Sequence, residues 1–286
     1  MKPAPFAYHR PGSREEVDQL LAQLGSEAKI LAGGQSLIPI LNMRLASFGH
    51  LIDLNHLAGE PAEPAVAGDE LVLGPLVRQA AALESALVAE VIPLLSQALR
   101  HVAHPAIRSR GTVVGSVVHG DPAAELPAAV ALLAGSVRAR SRRGTRPILA
   151  AELWTGALEN TLAEDEWVDE LRLPVRKADE GFAFEEFARR SGDYAICGVA
   201  ARVRAADGEL KAAVAYLGMG GLGHVHALPP VAAEEIDGPG LHSALTEAVA
   251  ELDPGDDLHA SARYRRWLAL ELGLSCVSRA AERALK

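Results

Sequence analysis

Two glycine-bearing strings hold the residues whose types and spacing suggest chemistry. In Leu31-Ala32-Gly33-Gly34-Gln35-Ser36 an apolar run enters two consecutive glycines. Successive backbone N–H groups can converge there as an anion nest, and a diphosphate can approach with no Cβ in its way. Ser36 adds a hydroxyl donor. The second string, Gly111-Thr112-Val113-Val114-Gly115-Ser116, is followed closely by the short acceptor Asp121. Taken alone, a Gly-Gly after a strand is also an ordinary turn.

Other strings carry less. Gly218-Met219-Gly220-Gly221-Leu222-Gly223 satisfies G-x-G-x-x-G, the dinucleotide fingerprint. That fingerprint needs its last glycine to open a helix facing a pyrophosphate, yet Pro229 and Pro230 follow within seven residues. A glycine-rich turn is the expectation. His224 and His226 lie two apart, so in an extended segment both would leave one face. With no third ligand placed beside them, they read as surface histidines and not as a metal pair. No Gly-x-Ser-x-Gly, His-Glu-x-x-His or P-loop string occurs. The residues therefore nominate no catalytic nucleophile, acid or base, and no metal ligand.

The elements that must position these strings can be read from periodicity. SREEVDQLLAQL, residues 13–24, places Val17, Leu20, Leu21 and Leu24 on one stripe behind a Ser13 cap with Glu16 three positions on, which predicts a helix. Lys29-Ile30-Leu31-Ala32 reads as a short strand. GEPAEPAVAGDE at 59–70 is a connection, and ELVLGPLV after it a strand. Residues 79–102 form a helical region that Pro93 divides into two helices. Thr112–Val118 interrupts that pattern with a β-branched apolar run, followed by a helix over 127–134 ended by Gly135. VRARSRRGTRPI reads as a hairpin whose arginines face water. Beyond Leu173-Pro174 come strands in GFAFEEFAR, AICGVAARVR and LKAAVAYLGMG, then helices near 241–252 and 258–284.

Composition narrows the classes. At 286 residues the chain exceeds one ordinary core, and a net charge of −9 works against a nucleic-acid backbone as partner. Only 4% of residues are aromatic, so the core must be aliphatic. Cys197 and Cys276 stand far apart and predict buried, reduced thiols. MKPAPFAYHRPGS has no apolar stretch of signal length, and no run reaches the roughly 20 residues of a membrane span. A cytoplasmic location is the expectation.

Several separated segments resemble one family in the right order. AGGQSLIPILNMRLASFGHLIDLNHL and IRSRGTVVGSVVHGDPAAELPAAVALLAG are similar to the two signature segments of the flavoprotein (medium) subunits of molybdenum hydroxylases, of the carbon monoxide dehydrogenase and xanthine dehydrogenase type. The likeness continues through RPILAAELWTGALENTLAEDEWVDELRLP, FARRSGDYAICGVAA and DDLHASARYRRWLA. It implies an α+β chain: a two-subdomain FAD-binding fold of the vanillyl-alcohol-oxidase (PCMH) type, followed by a C-terminal sheet-and-helix domain. The units would be 1–57, 58–176 and 177–286.

The resemblance further implies FAD between the first two units. Ala32, Gly33, Gly34, Gln35 and Ser36 would hold one side of its diphosphate, and Thr112, Gly115 and Ser116 the other. Asp121 would bond FAD hydroxyls or cap the turn before Pro122; Tyr194 would approach the isoalloxazine or be an ordinary buried tyrosine. Electrons would come from an iron–sulfur subunit, itself supplied by a molybdopterin subunit, and leave to an external acceptor. Two departures stand out. Val114 occupies a family glycine position, where a positive φ would disfavour it, so either the loop differs or FAD binds less tightly. Glu185-Glu186 stands where relatives often carry a lysine, removing a charge that could stabilise reduced flavin. A flavin-poor assembly subunit and a self-sufficient flavin oxidase are the alternatives.

Overall fold

Ser13 starts the first helix as the sequence predicts: its hydroxyl accepts the Glu16 N–H at 3.3 Å, while the Glu16 carboxylate reaches back to the Gly12 N–H at 2.7 Å. A computed structural model describes residues 2–286 except 207, 234, 235 and 237. β1 (Ala7–His9), α1 (Arg14–Leu24), β2 (Ala28–Leu31), α2 (Leu37–Met43) and β3 (His50–Asp53) form a first layer, with a parallel sheet in the order β1-β3-β2. Val17 and Leu21 of α1 are buried against Ile52 and Leu54, and Leu20 and Leu24 pack at the edge of that cluster.

A second sheet follows. β4 (Ala65–Ala67) and β5 (Glu70–Leu73) precede five short helices: α3 (Gln79–Glu84), α4 (Ala86–Val91), α5 (Pro93–Leu99), α6 (Pro105–Arg108) and α7 (Val113–His119). Then come α8 (Glu125–Leu132), β6 (Ser136–Ser141), β7 (Gly144–Leu149), α9 (Ala150–Leu153), the pair β8 (Trp154–Gly156) and β9 (Glu159–Asn160), and β10 (Trp167–Pro174). The sheet order is β4-β5-β10-β6-β7, so its last strand enters the middle. Three helices, not two, cover residues 79–99, because Ser85 ends α3 and caps α4 by accepting the Val88 N–H at 3.3 Å.

The hairpin β6/β7 forms, but most of its arginines are not simply in water. Arg138 forks onto Asp169, which is 0% exposed and also receives Arg14. Arg140 pairs with Asp18 and Glu15, Arg143 with Asp165, and Arg146 with Glu166. A buried carboxylate is tolerated only when such charged donors replace its water.

The third sheet contains β11 (Glu180–Phe187), β12 (Cys197–Ala206), β13 (Glu209–Leu217) and β14 (Val225–Ala227) in antiparallel order, with β15 (Val231–Ala232) also on β13. One face lies under α10 (Pro239–Ala250) and α11 (Ala262–Ala284), burying Cys197, Cys276, Val199 and Leu268. The other face puts Phe182, Phe184, Ala213 and Leu217 into the same core as α5 and α8. Gly218, Gly220 and Gly223 all take positive φ in a turn leading to β14, so the G-x-G-x-x-G string opens no helix. Among the described residues, no helix is long and apolar enough to cross a membrane.

Candidate functional site

The two glycine strings meet. A Cβ built on Gly33 would lie 2.5 Å from the Arg110 carbonyl oxygen and 2.7 Å from Gly111 Cα, so the backbones touch where only glycine permits it. Gly34 sits at φ +72°, and its added Cβ would press at 3.2 Å on Ile38 and Leu31. Its carbonyl accepts the Ile38 N–H at 3.0 Å, which starts α2. Ala32 to Ser36 are all half-buried beside this junction; the Gln35 amide turns back to the Gly33 carbonyl at 3.1 Å. Ser36 sits at the head of α2 without using its hydroxyl as a cap.

On the other side of the junction the β-branched run is a helix. Thr112, 3% exposed, accepts the Gly115 N–H on its Oγ1 at 3.0 Å and caps α7, and Gly120 stops that helix at φ +65°. A Cβ at Gly115 would fall 2.6 Å from that hydroxyl, so Gly115 is needed by the cap. The cap uses Thr112 Oγ1 as an acceptor only, so the hydroxyl can still donate. Ser116, one residue on, is half-buried. The expectation for Val114 is corrected here: it has no positive φ, is 3% exposed, and packs in the main core as part of α7. A helical φ suits a β-branched residue, so no strain arises.

Asp121 and Tyr194 also come together, beyond the other end of α7. Asp121 Oδ1 accepts the Ala123 N–H at 2.9 Å, the capping role, and its charge stands beside the Tyr194 phenol. Tyr194 is 68% exposed and not a buried tyrosine. Packing against the protein, then the charges of Asp121 and Glu125, hold its phenol above the usual range. Both residues line a cleft of about 750 Å³ between the 121–123 loop and the loops at 189–196 and 218–220. Seven residues of α7 span roughly 10 Å, which separates the glycine junction at its head from this cleft beyond its end.

Under the cleft lies an acid cluster that the sequence showed only in part. Glu186, with its side chain 5% exposed, meets His101 Nδ1 at 3.4 Å, and its Oε2 has no partner. Its hydrogen bond holds the His101 imidazole above its usual range against desolvation. Glu125, 7% exposed, is pushed up to about 8, by burial first and by Glu186 and Asp121 after it. Glu186 is thus half of a buried pair and no simple loss of a lysine. Glu185 points elsewhere, to Ser275 and Arg279. His119, at the end of α7, is held below its usual range by burial.

Four further residues brace the junction. Asn55 Nδ2 donates to the Ala32 carbonyl at 2.7 Å, Arg78 donates to the Arg110 carbonyl and to Asn55 Oδ1, and Tyr8 donates to Asp53, whose Oδ1 receives Asn55 N–H at 2.9 Å. Nothing in their spacing announced them, since they join segments 23 and 32 residues apart. His226 pairs with Glu251 at 3.3 Å, and among the described residues no three His, Cys, Asp or Glu gather as a metal site.

The FAD binding domain in molybdopterin dehydrogenase matches residues 4–176, and the CO dehydrogenase flavoprotein C-terminal domain matches residues 182–280. The chain belongs to the FAD-binding subunits of the molybdopterin dehydrogenases. This flavoprotein subunit is 38% identical to the nicotine 6-hydroxylase medium subunit of Paenarthrobacter nicotinovorans, over 95% of this chain and 96% of that one. It is 32% identical to the carbon monoxide dehydrogenase medium chain of Afipia carboxidovorans, over 99% of each. Its fold superposes with a TM-score of 0.90 on a chain of reconstituted CO dehydrogenase from Oligotropha carboxidovorans, 31% identical and covering 99% and 100%. Quinoline 2-oxidoreductase from Pseudomonas putida 86 gives the same score at 30% identity, covering both chains fully. The flavoprotein subunit is thus an α+β, FAD-binding medium subunit of the molybdenum hydroxylase class, and the junction suits its cofactor: the glycines let the two backbones meet closely enough for N–H groups of both strings to serve one diphosphate.

Proposed function

We propose that this chain is an electron relay. FAD, when bound, can take two electrons and release them singly, and the protein supplies position and electrostatics. Ala32, Gly33, Gly34, Gln35 and Ser36 would hold one side of the diphosphate; Thr112, Gly115 and Ser116, through the head of α7, the other. Asp121 would accept from FAD hydroxyls and Tyr194 would limit access to one face of the ring system. Residues 1–57 and 58–176 would be the two cofactor-binding units and 177–286 the covering domain. Electrons would arrive from an iron–sulfur subunit and leave to an external acceptor, within a cytoplasmic complex whose molybdopterin subunit oxidises the substrate. The observation that carries this reading is the contact of Gly33 with Arg110 and Gly111, which brings two distant segments to one place. The substrates in the relatives' names, nicotine and caffeine among them, would be those of whole complexes, and their choice would lie with the partner subunit.

The test is spectroscopic. Flavin-stripped protein should take up FAD in preference to FMN, which lacks the diphosphate. The FAD-loaded chain alone should not be bleached by aldehydes, N-heterocycles or carbon monoxide, and bleaching should return on adding the other two subunits. Equal FMN binding removes the diphosphate reading, rapid saturable bleaching of the lone chain indicates a self-sufficient oxidase, and no flavin uptake indicates an assembly subunit.

A further inference from the structure

Arg78 follows β5 at the head of α3, and the backbone around it is zipped to the second glycine string. The Val113 N–H donates to the Val77 carbonyl at 3.1 Å, the Gln79 N–H donates to the Gly111 carbonyl at 2.9 Å, and Arg78 bridges Thr112 in antiparallel sense. Its guanidinium then works in two directions. One terminal nitrogen donates to the Arg110 carbonyl and the other to Asn55 Oδ1, while Asn55 Nδ2 donates to the Ala32 carbonyl at 2.7 Å. Ala32 and Arg110 are the residues immediately before Gly33 and Gly111. The carbonyl entering each glycine string is therefore held by one connected pair of side chains. In a trans peptide the N–H points opposite to the C=O, so anchoring the Ala32 carbonyl on Asn55 turns the Gly33 N–H to the other side.

Charge supports the same reading. Neither Arg78, which is half-buried, nor its neighbour Arg110 makes an ion pair among the described residues. The carboxylate felt by Arg78 is Asp53, already engaged by Tyr8 and Asn55. Burial, then repulsion from Arg110, hold the Arg78 guanidinium below its usual range. We propose that Arg78, aimed by Asn55, fixes the spacing of the two glycine strings and supplies positive charge to a diphosphate lying across them. This rests on the FAD reading above and adds two residues to it.

The experiment is equilibrium binding to the flavin-stripped full chain, using FAD, ADP and riboflavin as probes at low and high salt. Arg78→Met should weaken FAD and ADP about tenfold or more and flatten their salt dependence, with riboflavin changed less than twofold. Arg78→Lys should keep the salt dependence while losing part of the affinity, because an ammonium restores charge without the two-way fork. Asn55→Leu should behave like Arg78→Lys. FAD affinity within twofold of wild type in Arg78→Met overturns the proposal, as does equal weakening of riboflavin. If Arg78→Met does not fold, Arg78→Lys decides: unchanged FAD affinity there overturns the paired aiming. Wild-type protein that binds neither FAD nor ADP overturns the underlying reading, which is a different result from tight wild-type binding that ignores Arg78.

Discussion

Gly34 holds a φ of +72° with its would-be Cβ already at contact distance from Ile38 and Leu31. A β-branched side chain there adds backbone strain of about 1–3 kcal/mol and displaces Ile38 or Leu31, reshaping the glycine turn at the head of α2. Gly34→Val is expected to abolish FAD binding at a modest loss of stability, read by flavin titration beside a denaturant curve; retained uptake would place the cofactor elsewhere. Val114→Gly has the opposite character. Because Val114 is buried in α7, removing its side chain should cost about 2–4 kcal/mol from lost packing and glycine's poor helix propensity, without tightening FAD. Glu125 supplies a pH dependence. Between the ordinary 4.5 and its raised value of about 8, the folded protein keeps a proton that the unfolded chain has released. Stability must then fall as pH rises through that window and level off above it. His101, also raised, acts in the same sense: its stabilisation is complete below 6.5 and disappears as pH climbs through its folded value. Melting temperatures from about pH 5 to 8 should decline in wild type and decline less in Glu125→Gln; parallel curves would mean that Glu125 is ionised in the fold.

At the scale of elements, α7 shows where local reading gives out. Thr112–Val118 has the composition of a strand, yet a Thr112 cap at one end and a left-handed Gly120 at the other make a helix of it, with tertiary packing of Val113, Val114 and Val117 overriding propensity. Thr112→Ala should cost about 1 kcal/mol and weaken FAD, while Thr112→Ser keeps both, as denaturation and titration would reveal. The α1 cap, the hairpin and the long C-terminal strands were legible because their signals lie within a few residues of one another. So was the pair of glycine strings, each local, with the family likeness joining them. The Tyr8–Asp53–Asn55–Arg78 chain was not legible, because its members acquire meaning only when β1, β3 and the head of α3 converge. The hairpin arginines were misread for the same reason: Asp18 lies 122 residues from Arg140.

For the whole molecule, the central core is shared. Phe182, Phe184 and Leu217 of the third sheet pack with residues of α5 and α8, so the C-terminal half completes the core of the cofactor-binding half. The third sheet is in turn closed from its far side by α11, and the fit is tight at one point: a Cβ on Gly181 would lie 2.0 Å from the Ala280 carbonyl and 2.4 Å from the Ala284 nitrogen. Gly181→Val should unseat the end of α11, costing several kcal/mol and making 177–217 open to limited proteolysis, and unchanged protection would contradict that packing. The same contact bears on synthesis. β10 completes the second sheet once residue 174 is made, and β11 meets its strand partner β12 soon after, but the face of β11 turned to α11 waits for residues made about a hundred positions later. During translation the first half and the inner face of β11 to β13 can therefore come together before the outer face is closed by the last turns of α11. That exposed interval, and not the finished fold, is when a chaperone would find an apolar sheet to hold.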